Sequence, residues 1–112
     1  MTEERLVPND PLAFIRECVG KRSILWTHHV NMRLRKRGIT REMVVEAIWS
    51  YEIIESYPDD KYLPSFLVRA DHPHGVMHVL FATDVLGENV RVVTAYHPDS
   101  AEWSEDFRRR QL

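Results

Sequence analysis

The sequence predicts an α+β domain in which N-terminal helices pack on a three- to four-stranded antiparallel sheet, with a short C-terminal helix. Apolar residues recur at helical spacing between residues 11 and 50, and they change to strand spacing between residues 53 and 96. Turn-forming residues separate the predicted strands, and this order of helices before strands is typical of α+β domains. A length of 112 residues suits one domain over 1–112, with residues 1–9 expected to be a flexible arm.

Three helices are predicted from residues that cap their first turns. The side-chain oxygens of Asp10, Thr27 and Thr40 can each accept a backbone N–H that would otherwise lack a partner. Gly20 and Gly38 are typical of helix ends. The predicted helices are Pro11–Gly20, His28–Arg37 and Arg41–Ser50, and the segment Ser23–Trp26 is expected to be a short apolar connector.

Four strands are predicted from runs of β-branched and aromatic residues. They cover Ile53–Tyr57, Phe66–Ala70, Val76–Thr83 and Val90–Tyr96. Pro98 should end the last strand, and Asp99 or Ser100 is expected to cap a final helix that carries Trp103 and Phe107. With the helices on one face of the sheet, the other face should remain free. A binding surface is then expected there, or at the sheet edge beside the second helix.

The charge distribution indicates an anionic partner. The segment from Cys18 to Arg41 inclusive has no Asp or Glu but contains seven of the 15 basic residues, which leaves eight basic residues against all 17 acidic ones elsewhere. The net charge of -2 therefore hides a strongly basic segment. Its basic residues are Lys21, Arg22, Arg33, Arg35, Lys36, Arg37 and Arg41.

Within that segment, His29, Arg33 and Arg37 are spaced four residues apart on the second predicted helix. Each step of four turns the side chain by only about 40° around the helix, so the three should form one stripe. Imidazole and guanidinium groups in this arrangement suit work on a phosphodiester, because histidine can move a proton and arginine can hold phosphate. The same spacing is also found on ordinary solvated helix faces.

The predicted strands carry a second set of polar residues. His78 has the strand parity of Val76 and Leu80, while Thr94 and Tyr96 share parity with Val90 and Val92, so pairing of these strands would gather His78, Thr94 and Tyr96 on one face. The alternative is that Tyr96 simply packs at the end of the sheet. No metal site is expected from His72, His74 and His78, because their spacing in a turn and a strand does not match that of zinc ligands.

Other features concern the compartment. The single cysteine, Cys18, excludes an internal disulfide and fits a reducing environment. We found no apolar stretch of the roughly 20 residues that a membrane helix needs, and the polar N-terminus is unlike a signal peptide. We therefore expect a cytoplasmic protein, without membrane association or cofactor.

Short motifs occur in a specific order along the chain: T-x-H at 27–29, R-G-I-T at 37–40, I-I-E-S-Y-P at 53–58, P-S at 64–65, M-H-V at 77–79 and V-T-x-Y-x-P-D at 93–99, followed by Trp103. This pattern resembles a family of small bacterial and archaeal proteins known as domain of unknown function 4258. The resemblance covers most of residues 24–103 and implies a distant relation to the RelE-like ribonucleases, many of which cleave RNA without a metal. Several RelE-like proteins are toxins held by antitoxins.

The resemblance implies which residues matter. The family's recurring polar positions correspond to His29, Arg33, Arg37, Ser65, His78, Thr94 and Tyr96. We expect catalysis by His29, Arg33, Arg37, His78, Thr94 and Tyr96, and RNA contacts by Arg35, Lys36, Arg41 and Ser65. The expected reaction is attack by the RNA 2′-hydroxyl, with either His29 or His78 as base or acid.

Two other interpretations stay open from the sequence. The chain can be a non-catalytic module that binds RNA or an acidic protein such as an antitoxin through the same basic surface. It can also form a homo-oligomer, in which the basic segment of one copy meets the acidic region 42–60 of another.

Overall fold

The computed structural model describes residues 6–111, and the predicted arm therefore lies partly outside the described residues, at positions 1–5. Three helices and a 3₁₀ turn precede most of a five-stranded sheet. The helices are α1 (Pro11–Gly20), α2 (His28–Lys36) and α3 (Arg41–Glu46), and the 3₁₀ turn covers Ile48–Ser50. The strands are β1 (Ile24–Trp26), β2 (Glu52–Tyr57), β3 (Ser65–His72), β4 (Gly75–Asp84) and β5 (Asn89–Tyr96).

The sheet has the order β1-β5-β4-β3-β2. Strands β2 to β5 form the predicted antiparallel meander, but the prediction of three or four strands was wrong because β1 adds a fifth strand, parallel to β5. The segment expected to be a connector supplies β1, with Ile24 opposite Val90 and Trp26 opposite Val92. A strand of three residues carries too little pattern to be recognised locally, and it forms because β5 offers it an edge.

The capping residues set the helix starts as predicted. The Asp10, Thr27 and Thr40 side chains accept from the backbone N–H groups three residues on. Gly38 follows α2 with a φ of 68°, a conformation that glycine adopts without strain. The third helix is shorter than predicted, because its last turn tightens into the 3₁₀ turn.

One face of the sheet and the three helices enclose the hydrophobic core. Val30 and Leu34 of α2, Ile15 and Val19 of α1 and Val44 of α3 are at most 4% exposed. They pack with alternate residues of the three central strands, namely Phe66, Val68, Ala70, Met77, Val79, Phe81, Val90, Val92 and Ala95. This packing fixes α2 beside β5, which it contacts more than any other strand.

The opposite face of the sheet is not free, contrary to expectation. Residues 97–111, called the tail below, form turns rather than the predicted C-terminal helix. Trp103 in the tail is 2% exposed and meets the His78 ring edge-on at 4.4 Å between centroids. Two side chains of the sheet donate to backbone carbonyls of the tail that would otherwise accept hydrogen bonds within a helix. Arg69 Nε donates to Asp106 O, and His78 Nε2 donates to Phe107 O. Within residues 6–111, no helix is long and apolar enough to cross a membrane.

Candidate functional site

The basic stripe of α2 consists of His29, Arg33 and Arg37, on a different side of the helix from buried Val30 and Leu34. Arg37 closes the helix and reaches β5, where its Nη1 donates to Thr94 Oγ1 at 3.2 Å and to Ala95 O at 2.8 Å. β1 covers only residues 90–92 of β5, so Arg37 binds the part of β5 that β1 leaves uncovered. The stripe is thereby joined to the sheet.

His29 and Arg33 are exposed, and neither side chain makes a hydrogen bond to another residue in the range 6–111. His29 lines a pocket of about 340 Å³, together with residues that include Tyr62 and Val93. We call this the side pocket. An imidazole and a guanidinium without protein partners are available to a ligand.

A row of polar residues crosses the sheet on the face that the tail covers. Glu52, Arg69, His78 and Tyr96 are direct cross-strand neighbours in β2, β3, β4 and β5. Thr94 lies on the same face as His78 and Tyr96, as expected, because it pairs with Leu80. The predicted shared parity with Val90 and Val92 was wrong, because a register shift after Leu80 puts those two valines on the opposite face, in the core. Thr94 and Tyr96 are two residues apart in β5, a separation of about 7 Å along the strand.

His78 lies at the centre of this polar row and is fully buried. Its Nε2 is 2.8 Å from the Phe107 carbonyl, which can only accept, so Nε2 carries the hydrogen. Its Nδ1 then accepts from the Tyr96 hydroxyl at 3.2 Å. Burial lowers the pKa of His78, against the opposite effect of the Phe107 carbonyl, and burial raises the pKa of Tyr96. Both groups are held in their neutral forms.

A charged cluster beside this row was not predicted from the sequence. Arg110 of the tail donates to Glu55 of β2 at 2.8 Å, lies over the Trp103 ring at 4.6 Å, and shares Glu55 with the Tyr57 hydroxyl. Burial alone would raise the pKa of Glu55, but the hydrogen bonds from Arg110 and Tyr57 outweigh it and lower that pKa. Glu55 and Tyr57 share strand parity, which was a usable signal, whereas the run of arginines in the tail gave none.

Three comparisons with known proteins bear on the family. A model of the family described as Domain of unknown function (DUF4258) matches residues 26–97, well over half of the chain. The protein belongs to the DUF4258 family. No curated protein and no solved structure matched the chain.

The region matched by the DUF4258 model covers most of the candidate site but not the tail. It includes α2 and strands β2 to β5, and with them the basic stripe, Ser65, His78, Thr94 and Tyr96. It ends at residue 97, so Trp103 and Arg110 of the tail lie outside it. This DUF4258 chain therefore covers its polar row with a segment beyond the matched region.

The residues expected to contact RNA are divided between two places. Arg35, Lys36 and Arg41 line a groove of about 820 Å³ on a different side of α2 from the stripe. Arg41 is already engaged there, since it donates twice to Asn31 Oδ1 and lies over the Trp26 ring. Ser65 is buried, and its hydroxyl donates to Asp60 in the loop of residues 58–64 between β2 and β3.

The three histidines weighed as metal ligands have other partners. His72 Nε2 is 2.9 Å from Glu46 Oε2, and its ring stacks on His74 at 5.2 Å between centroids. His78 makes the bonds described above. In the part of the chain that the structure describes, no group of three or more His, Cys, Asp or Glu side chains is placed to hold a metal ion.

Proposed function

We propose that this DUF4258 protein is a metal-independent endoribonuclease, distantly RelE-like and of the toxin type. The observation that supports it is the bond from Arg37 to Thr94, which joins the stripe that also carries exposed His29 and Arg33 to the polar end of β5. The carboxylate-free segment around them favours an anionic substrate. An RNA substrate and an unpaired Cys18 are consistent with action in the cytoplasm.

The proposed chemistry needs only side chains of this site. The RNA 2′-hydroxyl attacks the adjacent phosphorus while His29 takes its proton, and a 2′,3′-cyclic phosphate forms. The bond from phosphorus to the 5′ oxygen breaks, and His29 returns the proton to that oxygen. Arg33 and Arg37 hold the phosphate and offset the charge that develops on it.

His78 and Tyr96 receive different roles in this proposal. His78 is buried with both ring nitrogens engaged, so we assign it to positioning Tyr96 rather than to proton transfer. Tyr96 keeps its proton because burial raises its pKa, which makes its hydroxyl a hydrogen-bond donor to the phosphate once it leaves His78. His29 is then the group that carries the proton.

The test is RNA decay in EDTA by the wild type, His29→Ala and Arg33→Ala. We expect both variants to lose most activity and single-stranded DNA to stay intact, because it lacks the 2′-hydroxyl. His28→Ala is the matched control, since His28 is also exposed but points about 100° away around the helix. Equal RNA decay by wild type, His29→Ala and Arg33→Ala removes the proposal.

A second candidate is a non-catalytic module that binds RNA or an acidic protein, and the engagement of His78 favours it. The groove beside α2 could bind an acidic partner such as an antitoxin. It is lined by the cationic side chains of Arg35, Lys36 and Arg41 and by the apolar residues Leu34 and Ile39. Salt-dependent RNA binding without cleavage, and unimpaired growth during induced expression, would favour this candidate.

A further inference from the structure

The side pocket lies between the N-terminal end of α2 and the β2–β3 loop. Val30 of α2, Leu63 of the loop and Ala82, Val92 and Val93 of the sheet give it an apolar lining. Val93 is 48% exposed, so part of this apolar surface faces solvent. A volume of about 340 Å³ is at the small end of ligand sites and suits a single ring system.

Tyr62 provides an aromatic wall. It is 83% exposed, and the Lys61 ammonium lies 5.2 Å from its ring centroid. Burying the tyrosine ring against the apolar lining would stabilise the folded state, and the exposed ring does not contribute this hydrophobic free energy. An exposed aromatic ring with a cation nearby is the arrangement that proteins use to stack unpaired nucleobases.

The polar groups around the pocket suit the rest of a nucleotide. His29 and Arg91 contribute to its lining, and Arg33 is one helical turn from His29. The Asp60 carboxylate also lines the pocket, where it accepts from the Ser65 hydroxyl and from the Lys61 backbone N–H. The bond to Ser65 ties the loop that carries Tyr62 to the start of β3.

We propose that the side pocket takes one unstacked nucleobase of single-stranded RNA, with Tyr62 as its stacking surface. The inference rests on the proposed function for its substrate. A base seated here brings its own ribose to His29, the group that would take the 2′-hydroxyl proton, while Arg33 faces the phosphate. A base in a duplex is already stacked and cannot enter, so the site selects unpaired RNA.

The experiment measures binding without cleavage. The probe is a short single-stranded RNA with 2′-O-methyl groups throughout and one 2-aminopurine, whose fluorescence falls on stacking. We expect quenching on binding to the wild type, affinity about ten-fold weaker for Tyr62→Ala, and near wild-type affinity for Tyr62→Phe, which keeps the ring. Trp49→Ala removes an aromatic ring that is 80% exposed elsewhere and should change nothing.

Three results would overturn the inference: no quenching, equal affinity of Tyr62→Ala and wild type, or equal affinity for the same sequence as a duplex. Cleavage of unmodified RNA by the wild type is assayed in parallel. Cleavage unaffected by Tyr62→Ala would leave the ribonuclease standing and the base site wrong. Quenching and Tyr62 dependence without any cleavage would leave the base site standing and the ribonuclease wrong, and no binding at all would remove both.

Discussion

His78 Nε2 donates to the carbonyl oxygen of Phe107 at 2.8 Å, and this bond joins the centre of the sheet to the tail. The same ring accepts from Tyr96 and packs edge-on against Trp103. The tail is therefore anchored by a histidine that must stay neutral, because one of its nitrogens donates and the other accepts.

Replacing His78 should destabilise the whole domain. His78→Ala removes two hydrogen bonds and leaves a cavity at a fully buried position, which should lower the free energy of unfolding by about 2–4 kcal/mol. Urea denaturation measures the loss. His28→Ala, at an exposed position, should stay within about 0.5 kcal/mol of wild type. Comparable small losses in both variants would show that His78 is not an anchor.

Stability should fall as the solution is acidified through the range in which histidine titrates. The pKa of His78 in the folded state is below the ordinary value of 6.5, so below pH 6.5 the unfolded chain binds a proton that the folded chain refuses. This group then costs at most about 1.4 kcal/mol of stability per pH unit until the folded His78 itself titrates. NMR titration of the His78 ring should give a midpoint under 6.5, and a midpoint at or above that value contradicts the account.

Arg33 should matter for RNA and not for folding. Its exposed guanidinium has no hydrogen bond within residues 6–111, so Arg33→Ala should change the free energy of unfolding by less than about 0.5 kcal/mol. Binding of a 2′-O-methyl RNA should weaken. The slope of log affinity against log salt concentration should become less steep by the amount expected for roughly one phosphate contact. Arg109→Ala is the control, since Arg109 is also an exposed arginine but lies in the tail. Equal effects of the two substitutions would assign the binding to net charge alone.

Trp49 and Trp103 should differ sharply in the free energy of unfolding that their removal costs. Trp103 is 2% exposed under Arg110 and against His78, so Trp103→Ala should cost about 3–5 kcal/mol in urea denaturation. Trp49 is 80% exposed and contacts the Arg16 guanidinium, so Trp49→Ala should cost less than about 1 kcal/mol. A small loss for Trp103→Ala would mean that the tail is not part of the folded unit.

The parts of the fold that depend on residues close together in the sequence were predictable from the sequence. Thr27 and Thr40 cap their helices through bonds to backbone groups three residues away, so their positions alone indicate both starts. β1 was not predictable, because Ile24–Trp26 is extended only through its pairing with β5, about 65 residues further on. The tail was missed for the same reason, since Trp103 is buried by a histidine of a distant strand.

The candidate site was likewise predictable only where it depends on residues close together in the sequence. The helical stripe follows from a spacing of four, and Arg37 does face the sheet. The polar row, in contrast, depends on the pairing of Glu52 with Arg69, Arg69 with His78 and His78 with Tyr96. That alignment includes register shifts in β2 after Ile53 and between β4 and β5 at Leu80, which alternation in the sequence does not reveal.

The brevity of β1 has a consequence for how this molecule behaves in a crowded solution. Residues 93–96 of β5 extend past β1 at the edge of the sheet. An edge strand with unpaired backbone groups can pair with a strand of another chain, which can start fibril-like aggregation. Arg37 occupies the Ala95 carbonyl and puts a positive charge at that margin. We infer that the guanidinium proposed to hold phosphate also makes this edge less favourable for pairing with another copy of the protein.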